Sequence, residues 1–294
     1  MNQENTEVRF VPSRSWKNTV ALSVDVEDYF MSPEAVPFEE WAGYPSAIHT
    51  GMEQLLELFQ EYNAKATFFF VGWLAERYPE IVHWTRGAGH EIATHTYTHH
   101  FVTELGPKEF EASLLRSLDI LQSLVPDQPI RGHRAPAFSL PRDQKWPFDI
   151  LRGHGIAYDS SINPHATYLY GDARAPRFPY AWHGIVELPP AVVEWAGFRL
   201  PAGGGGTLRV LPEWYLERAR LRYQAEGFPP VIYIHPWEMV PGHPPLSLPW
   251  KQRWIHYTGL DTTRRKLRAL LQNHTAISLG DYYQKLMENH AEFP

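Results

Sequence analysis

His95 and His99 stand four residues apart in the stretch Glu91-Ile92-Ala93-Thr94-His95-Thr96-Tyr97-Thr98-His99-His100. One helical turn across that interval would put both imidazoles on a common face, and two such nitrogens are metal-ligand chemistry. An isolated H-x-x-x-H spacing is common, so its meaning depends on what else the chain offers. It offers three carboxylates, Asp25, Glu27 and Asp28, at the end of Thr19-Val20-Ala21-Leu22-Ser23-Val24-Asp25-Val26. Clustered carboxylates repel unless a cation or protons relieve them. Asp25 interrupts an otherwise apolar run, so it is expected to be at least partly buried. Arg134, Asp159 and His235 each close a further short run with strand character. The chain has no cysteine, which removes disulfides, thiolate ligands and a cysteine nucleophile. Any metal must use His, Asp or Glu.

The elements that must carry these groups are legible. Thr19 to Val26 reads as a strand. His49 to Tyr62 has apolar residues at 52, 55, 56, 59 and 62 and reads as an amphipathic helix. Lys65 to Val71 is a buried strand by composition. Two short helices follow, over 72–78 and 79–86, and then a strand from Gly89 to Thr94. Pro107 opens a helix through Leu124, with Phe110, Leu114, Leu118 and Leu121 on one stripe. Strand candidates continue at Ile130 to Arg134, Gly155 to Ser160, Ile185 to Leu188, Pro230 to His235 and 276–279. Helices are expected at Phe148 to Arg152, Leu211 to Glu226 and, capped by Asp261, up to Asn273. Short connections between alternating strands and helices define parallel βα units, whose active sites gather at the C-terminal strand ends. Asp25 and His95 both sit there. The glycines 203–206 have no following lysine, so they read as a backbone-hugging turn near the cleft and not as a phosphate loop. His133, His154, His165, His183 and His243 are expected in solvated loops.

At 294 residues, with 44% hydrophobic and 20% charged residues, a sizeable core is available and disorder is not expected. A net charge of −6 with widely spread basic residues argues against nucleic acid as a partner. No run reaches a membrane span. Met1 to Asn18 is polar and lacks an apolar leader region, so a cytoplasmic location is expected. No internal repeat or linker divides the chain, so one catalytic domain is expected over 1–294. Its core would run over about 19–285, with a Pro-rich aromatic insertion at about 237–259. Aromatic residues reach 14%, with 11 Trp, a composition shared by sugar clefts and ordinary cores.

Together these residues resemble the NodB-homology polysaccharide deacetylases, carbohydrate esterase family four. Glu91 to His99 is similar to the family's histidine motif and Ala21 to Asp25 to the start of its acidic motif. Arg134-Ala135-Pro136, Tyr158-Asp159-Ser160-Ser161 and Ile232-Tyr233-Ile234-His235 resemble the three that follow. The stretch Gly203 to Trp250 is similar to a subgroup found in exopolysaccharide-biosynthesis loci. The resemblance implies an α/β fold, a distorted (β/α) barrel with about seven parallel strands. It also implies a metal-dependent hydrolase that removes N-acetyl groups from N-acetylhexosamine units of a glycan. One divalent ion, zinc first and cobalt or nickel next, would be held by His95, His99 and a carboxylate. Most members place two aspartates side by side, base then ligand, whereas Val26 follows Asp25 here. A D-x-D variant maps the ligand onto Glu27, which strand alternation favours because 25 and 27 share a face. Asp28 competes. The resemblance makes Asp25 the general base, Arg134 its partner, His235 the general acid and Asp159 the group that orients His235. It assigns oxyanion stabilisation to the N–H of Ala137, where members usually carry tyrosine. Two rivals share the scaffold: a metal-free allantoinase-like amidohydrolase, and a catalytically silent carbohydrate-binding relative. The oligomeric state is not readable from the sequence.

Overall fold

The computed structural model describes residues 7–31, 35–165 and 171–289. Its strands, in chain order, are β1 (Val8–Arg9), β2 (Thr19–Val26), β3 (Thr67–Phe70), β4 (Glu91–Thr94), β5 (Gly132–His133) and β6 (Tyr158–Asp159). They continue as β7 (Tyr180–Trp182), β8 (Ile185–Glu187), β9 (Val192–Trp195), β10 (Phe198–Pro201), β11 (Val231–Ile234) and β12 (Thr275–Ile277). The helices are α1 (Ile48–Glu61), α2 (Gly72–Arg77), α3 (Pro79–Gly87), α4 (Pro107–Leu124) and α5 (Trp146–Gly153). After them come α6 (Gly206–Val210), α7 (Glu213–Ala225), α8 (Trp250–Tyr257), α9 (Thr263–Asn273) and α10 (Leu279–Glu288).

The main sheet runs β1-β7-β8-β6-β5-β4-β3-β2-β11, with β12 also on β2. All its ladders are parallel except those of β7 with β1 and with β8. The α/β class and the parallel sheet agree with the sequence reading. Between β8 and β11 there is no continuous ladder. The gap is spanned by isolated parallel bridges, Pro190 with Val231 and Gly204 with Tyr233.

All eight residues of β2 are buried, as expected of a central parallel strand with both faces covered. That explains why Thr19 to Val26 reads as a near-continuous apolar run. Helix α1 turns Met52, Leu55 and Phe59 inward, as its periodicity predicts. It also lies close on the turn after β11: a Cβ on Gly51 would stand 2.4 Å from the Pro236 carbonyl oxygen. Glycine is therefore required for that approach.

Three stretches differ from expectation. Residues 95–100 form no helix; Thr96 and His99 instead adopt left-handed φ of 60° and 56°. The stretch 237–259 contains α8, and the chain continues past β12 into α10, which Ser278 caps by accepting a hydrogen bond from the Asp281 N–H. The β9–β10 hairpin forms a separate two-stranded sheet and went unread in a Pro- and aromatic-rich segment.

Candidate metal centre and active site

The C-terminal ends of β2, β4, β5 and β11 converge. Just past β2 the Glu27 N–H donates to the Asp25 carbonyl at 2.9 Å, and this tight turn leaves both carboxylates facing the centre. Glu27 Oε1 lies 3.0 Å from His95 Nε2 and 2.9 Å from His99 Nε2. All three side chains are buried. The two left-handed residues replace the expected helical turn and still bring the rings to 4.9 Å between centroids.

His95 Nδ1 lies 2.6 Å from the Arg134 carbonyl oxygen. A carbonyl only accepts, so Nδ1 carries the proton and Nε2 points its lone pair at the Glu27 oxygen. Two oxygen or nitrogen lone pairs at that distance need a cation or a proton between them. Burial raises the Glu27 carboxyl, but His99 and then His235 outweigh it and hold the group well below its ordinary value. An ionised carboxylate with two imidazole nitrogens is a donor set for zinc-type ions, and these three side chains can hold one.

Asp28 is not brought to this centre. Its Oδ1 accepts from the Tyr29 N–H at 2.9 Å, and its carboxylate also accepts from the Ala47 N–H and from Ser46 Oγ at 2.5 Å. It anchors Ser46 and Ala47, the two residues that lead into α1. Asp28→Ala is therefore expected to lower stability by about 1–3 kcal/mol, the loss expected when buried donors are left without their acceptor, with unchanged zinc content. Thermal unfolding alongside metal analysis checks both halves of this expectation.

Asp25 pairs with Arg134, Oδ1 to an Nη at 2.6 Å. Arg134 has no exposed surface and also donates to Ser23 Oγ, the Ser160 carbonyl and Ser160 Oγ, and its guanidinium lies 4.4 Å from the Phe69 ring. The second Asp25 oxygen, Oδ2, faces His235 Nε2 at 3.9 Å. Asp25, Glu27 and His235 also lie within 4.8 Å of one another. That set suits a proton better than a metal, because Arg134 already neutralises Asp25 and His235 holds its own proton. Burial pulls the His235 imidazole down, but Glu238, Glu27 and Asp25 outweigh it and raise it to about 9.

The partner of His235 corrects the sequence reading. Asp159 turns away, toward His133 Nδ1 at 2.6 Å and Ser161 Oγ at 2.7 Å. Glu238 takes the place beside His235, with Oε2 3.4 Å from Nδ1, and Arg209 Nε anchors its other oxygen at 2.7 Å. Burial raises the Glu238 carboxyl, but Arg209 and then His235 outweigh it and hold it low. A signal was present in His235-Pro236-Trp237-Glu238: an acid three residues after a turn's first residue can reach back to it, and the His235 N–H does donate to Glu238. Two of the histidines expected in solvent are buried, His133 on β5 and His243, whose ring stacks on Tyr29 at 4.4 Å.

Glu238→Gln keeps the backbone acceptor and removes the charge. If a protonated His235 is required, turnover should fail on the alkaline side roughly one pH unit earlier than in the parent. An unmoved alkaline limb in the pH–rate profile would take Glu238 out of this role.

Ala137 follows Pro136 with φ 47°, and Phe138 follows with φ 55°. Two successive left-handed non-glycine residues cost about 1–3 kcal/mol each and mark functional sites. They follow Arg134-Ala135-Pro136, and the Phe138 ring lies 5.5 Å from the guanidinium.

Residues 35–147 match the polysaccharide deacetylase family model, and residues 160–284 match a domain of unknown function, DUF3473. A peptidoglycan deacetylase of Helicobacter pylori is 31% identical over 112 residues, 38% of this chain and 37% of that one. A chitooligosaccharide deacetylase of Sinorhizobium fredii is 30% identical over 83 residues, 28% of this chain and 39% of that one. The aligned parts thus span well under half of either relative. A candidate polysaccharide deacetylase of Mycobacterium smegmatis shares the fold, with a TM-score of 0.62 at 19% identity over 97% of this chain and 96% of that one. The similarity to polysaccharide deacetylases therefore lies in the part of the chain that carries Glu91 to His99 and Arg134.

Proposed function

We propose that this chain is a metal-dependent hydrolase that removes N-acetyl groups from N-acetylhexosamine units of a glycan. The observation that carries the reading is the double use of Glu27: one oxygen meets both His95 and His99, and the same side chain borders the Asp25–His235 pair. A divalent ion held by Glu27, His95 and His99, with zinc, cobalt or nickel all acceptable to these donors, supplies Lewis acidity toward a water and the acetamide carbonyl. Asp25 Oδ2 is placed to take the proton of the attacking water, while Arg134 fixes the carboxylate through Oδ1. The backbone N–H of Ala137 stabilises charge developing on the carbonyl oxygen. His235 gives its proton to the leaving nitrogen, so the C–N bond breaks to acetate and a free amine, and an amide anion is never expelled. Glu238 and Arg209 hold the imidazole in that protonated state.

The names of the relatives support N-acetylglucosamine polymers as the substrate class. The narrower reading, a role on an exopolysaccharide under synthesis, rests on the resemblance of Gly203 to Trp250. Metal analysis combined with acetate release from chito-oligosaccharides tests the function. Hydrolysis of ureides by metal-free protein would select the allantoinase-like reading. Sugar binding without acetate release would select the silent relative.

A further inference from the structure

Beside the reaction centre lies a cavity of about 370 Å³ whose lining includes Asn163, Thr207, Val210, Tyr233, Trp254 and Ile255. No Asp, Glu, Lys or Arg lines it among the described residues, and His165 is its one basic side chain. It opens beneath an apolar rim, with Val210 40%, Ile255 46% and Trp254 57% exposed. Trp250, 75% exposed, stands one turn before Trp254 on α8. Large apolar side chains left in water around a concavity are a recognition feature, since folding alone would bury them.

The cavity adjoins the reaction centre across one side chain. The Tyr233 ring lies 5.8 Å from the His235 ring, 4.9 Å from that of Phe138, and 5.7 Å from the Arg134 guanidinium. Tyr233 is itself pressed into place by the glycine loop. The Gly205 N–H donates to the Tyr233 carbonyl and the Tyr233 N–H to the Gly203 carbonyl, and a Cβ on Gly204, at φ 133°, would collide with the Tyr233 carbonyl oxygen. On the Phe138 side lies a different cavity, about 280 Å³, lined by Arg142, Asp143, Asp172 and Arg174 among others. The centre therefore sits between a neutral aromatic pocket and a charged one, as in a groove that a chain molecule crosses.

Resting on the deacetylase reading, we propose that the Tyr233–Trp254 pocket is a subsite for a neutral pyranose unit next to the one that loses its acetyl group. A pyranose offers an apolar C–H face to an aromatic ring and hydroxyls to groups such as Asn163, His165 and Thr207, and a lining without Lys or Arg offers no permanent cation to a sugar carboxylate. The subsite makes the protein selective for oligomers over single sugars.

The test uses the zinc-loaded full chain with N-acetylglucosamine and its tetramer. In the parent, kcat/KM rises with chain length. Trp254→Ala loses about tenfold on the tetramer, through KM, and is unchanged on the monosaccharide; Trp254→Phe recovers most of the loss. Equal KM values for parent and Trp254→Ala on the tetramer would overturn the subsite. Calorimetric titration of the tetramer into Asp25→Asn protein, with and without Trp254→Ala, separates the two readings. Binding that needs Trp254 supports the subsite even where the parent releases no acetate, an outcome that sinks only the deacetylase reading. Binding indifferent to Trp254 sinks the subsite alone.

Discussion

Asp25→Asn lowers turnover by about 10²-fold or more while the protein keeps its zinc, the size of effect expected when a positioned general base is lost. The geometry separates the two outcomes. Asp25 is held by Arg134 and not by the histidine pair, so the Glu27–His95–His99 cluster stays whole in the variant. Asparagine can still accept a hydrogen bond from Arg134 through its own oxygen, but it cannot take a proton at the position of Oδ2. Stability is expected to fall as well, because removing one partner strands a fully buried guanidinium. Melting curves establish that the assay temperature is safe, and metal analysis with steady-state rates then decides. Near-parental turnover would remove Asp25 from the chemistry.

His95→Ala loses metal and activity together. Its imidazole contributes one of two nitrogens to the cluster, and Nδ1 is pinned to the Arg134 carbonyl at 2.6 Å, so Nε2 cannot be replaced by a neighbour's rotation. Even outer partners of metal ligands are worth 10–100-fold in affinity, so loss of a direct donor should weaken zinc binding by at least about a hundredfold. Dialysis against a graded chelator reads this directly. A variant that holds zinc as tightly as the parent would refute the assignment.

Much of this centre was legible because its residues lie at the ends of short, strongly apolar strands, where a charged side chain stands out. Asp25, His95, Arg134 and His235 all announced themselves in that way, and strand alternation favoured Glu27 while leaving Asp28 in competition. What failed was pairing. Which acid faces His235 depends on where the chain goes after β11. The turn at Pro236 swings Glu238 back while Asp159 is occupied by His133, and no periodicity encodes that choice. Asp28 misled for the opposite reason: burial raises its carboxyl, yet its partners are the start of α1, nineteen positions away. The helix inferred from the spacing of His95 and His99 failed too, since left-handed residues at 96 and 99 achieve the same convergence without regular structure.

Strand β2, which carries Asp25 into the centre, is bonded to β3 on the early side of the chain and to β11 and β12 on the late side. The Ser23 hydroxyl reaches the Ile232 carbonyl across 209 residues of sequence. Contacts of that separation form only after the largest loops have closed. On refolding, helical signal should therefore recover ahead of hydrolytic competence, which makes enzyme assay a reporter of the final docking event. A fragment ending before residue 231 would contain both histidines yet lack the strand that brings the proton donor to them.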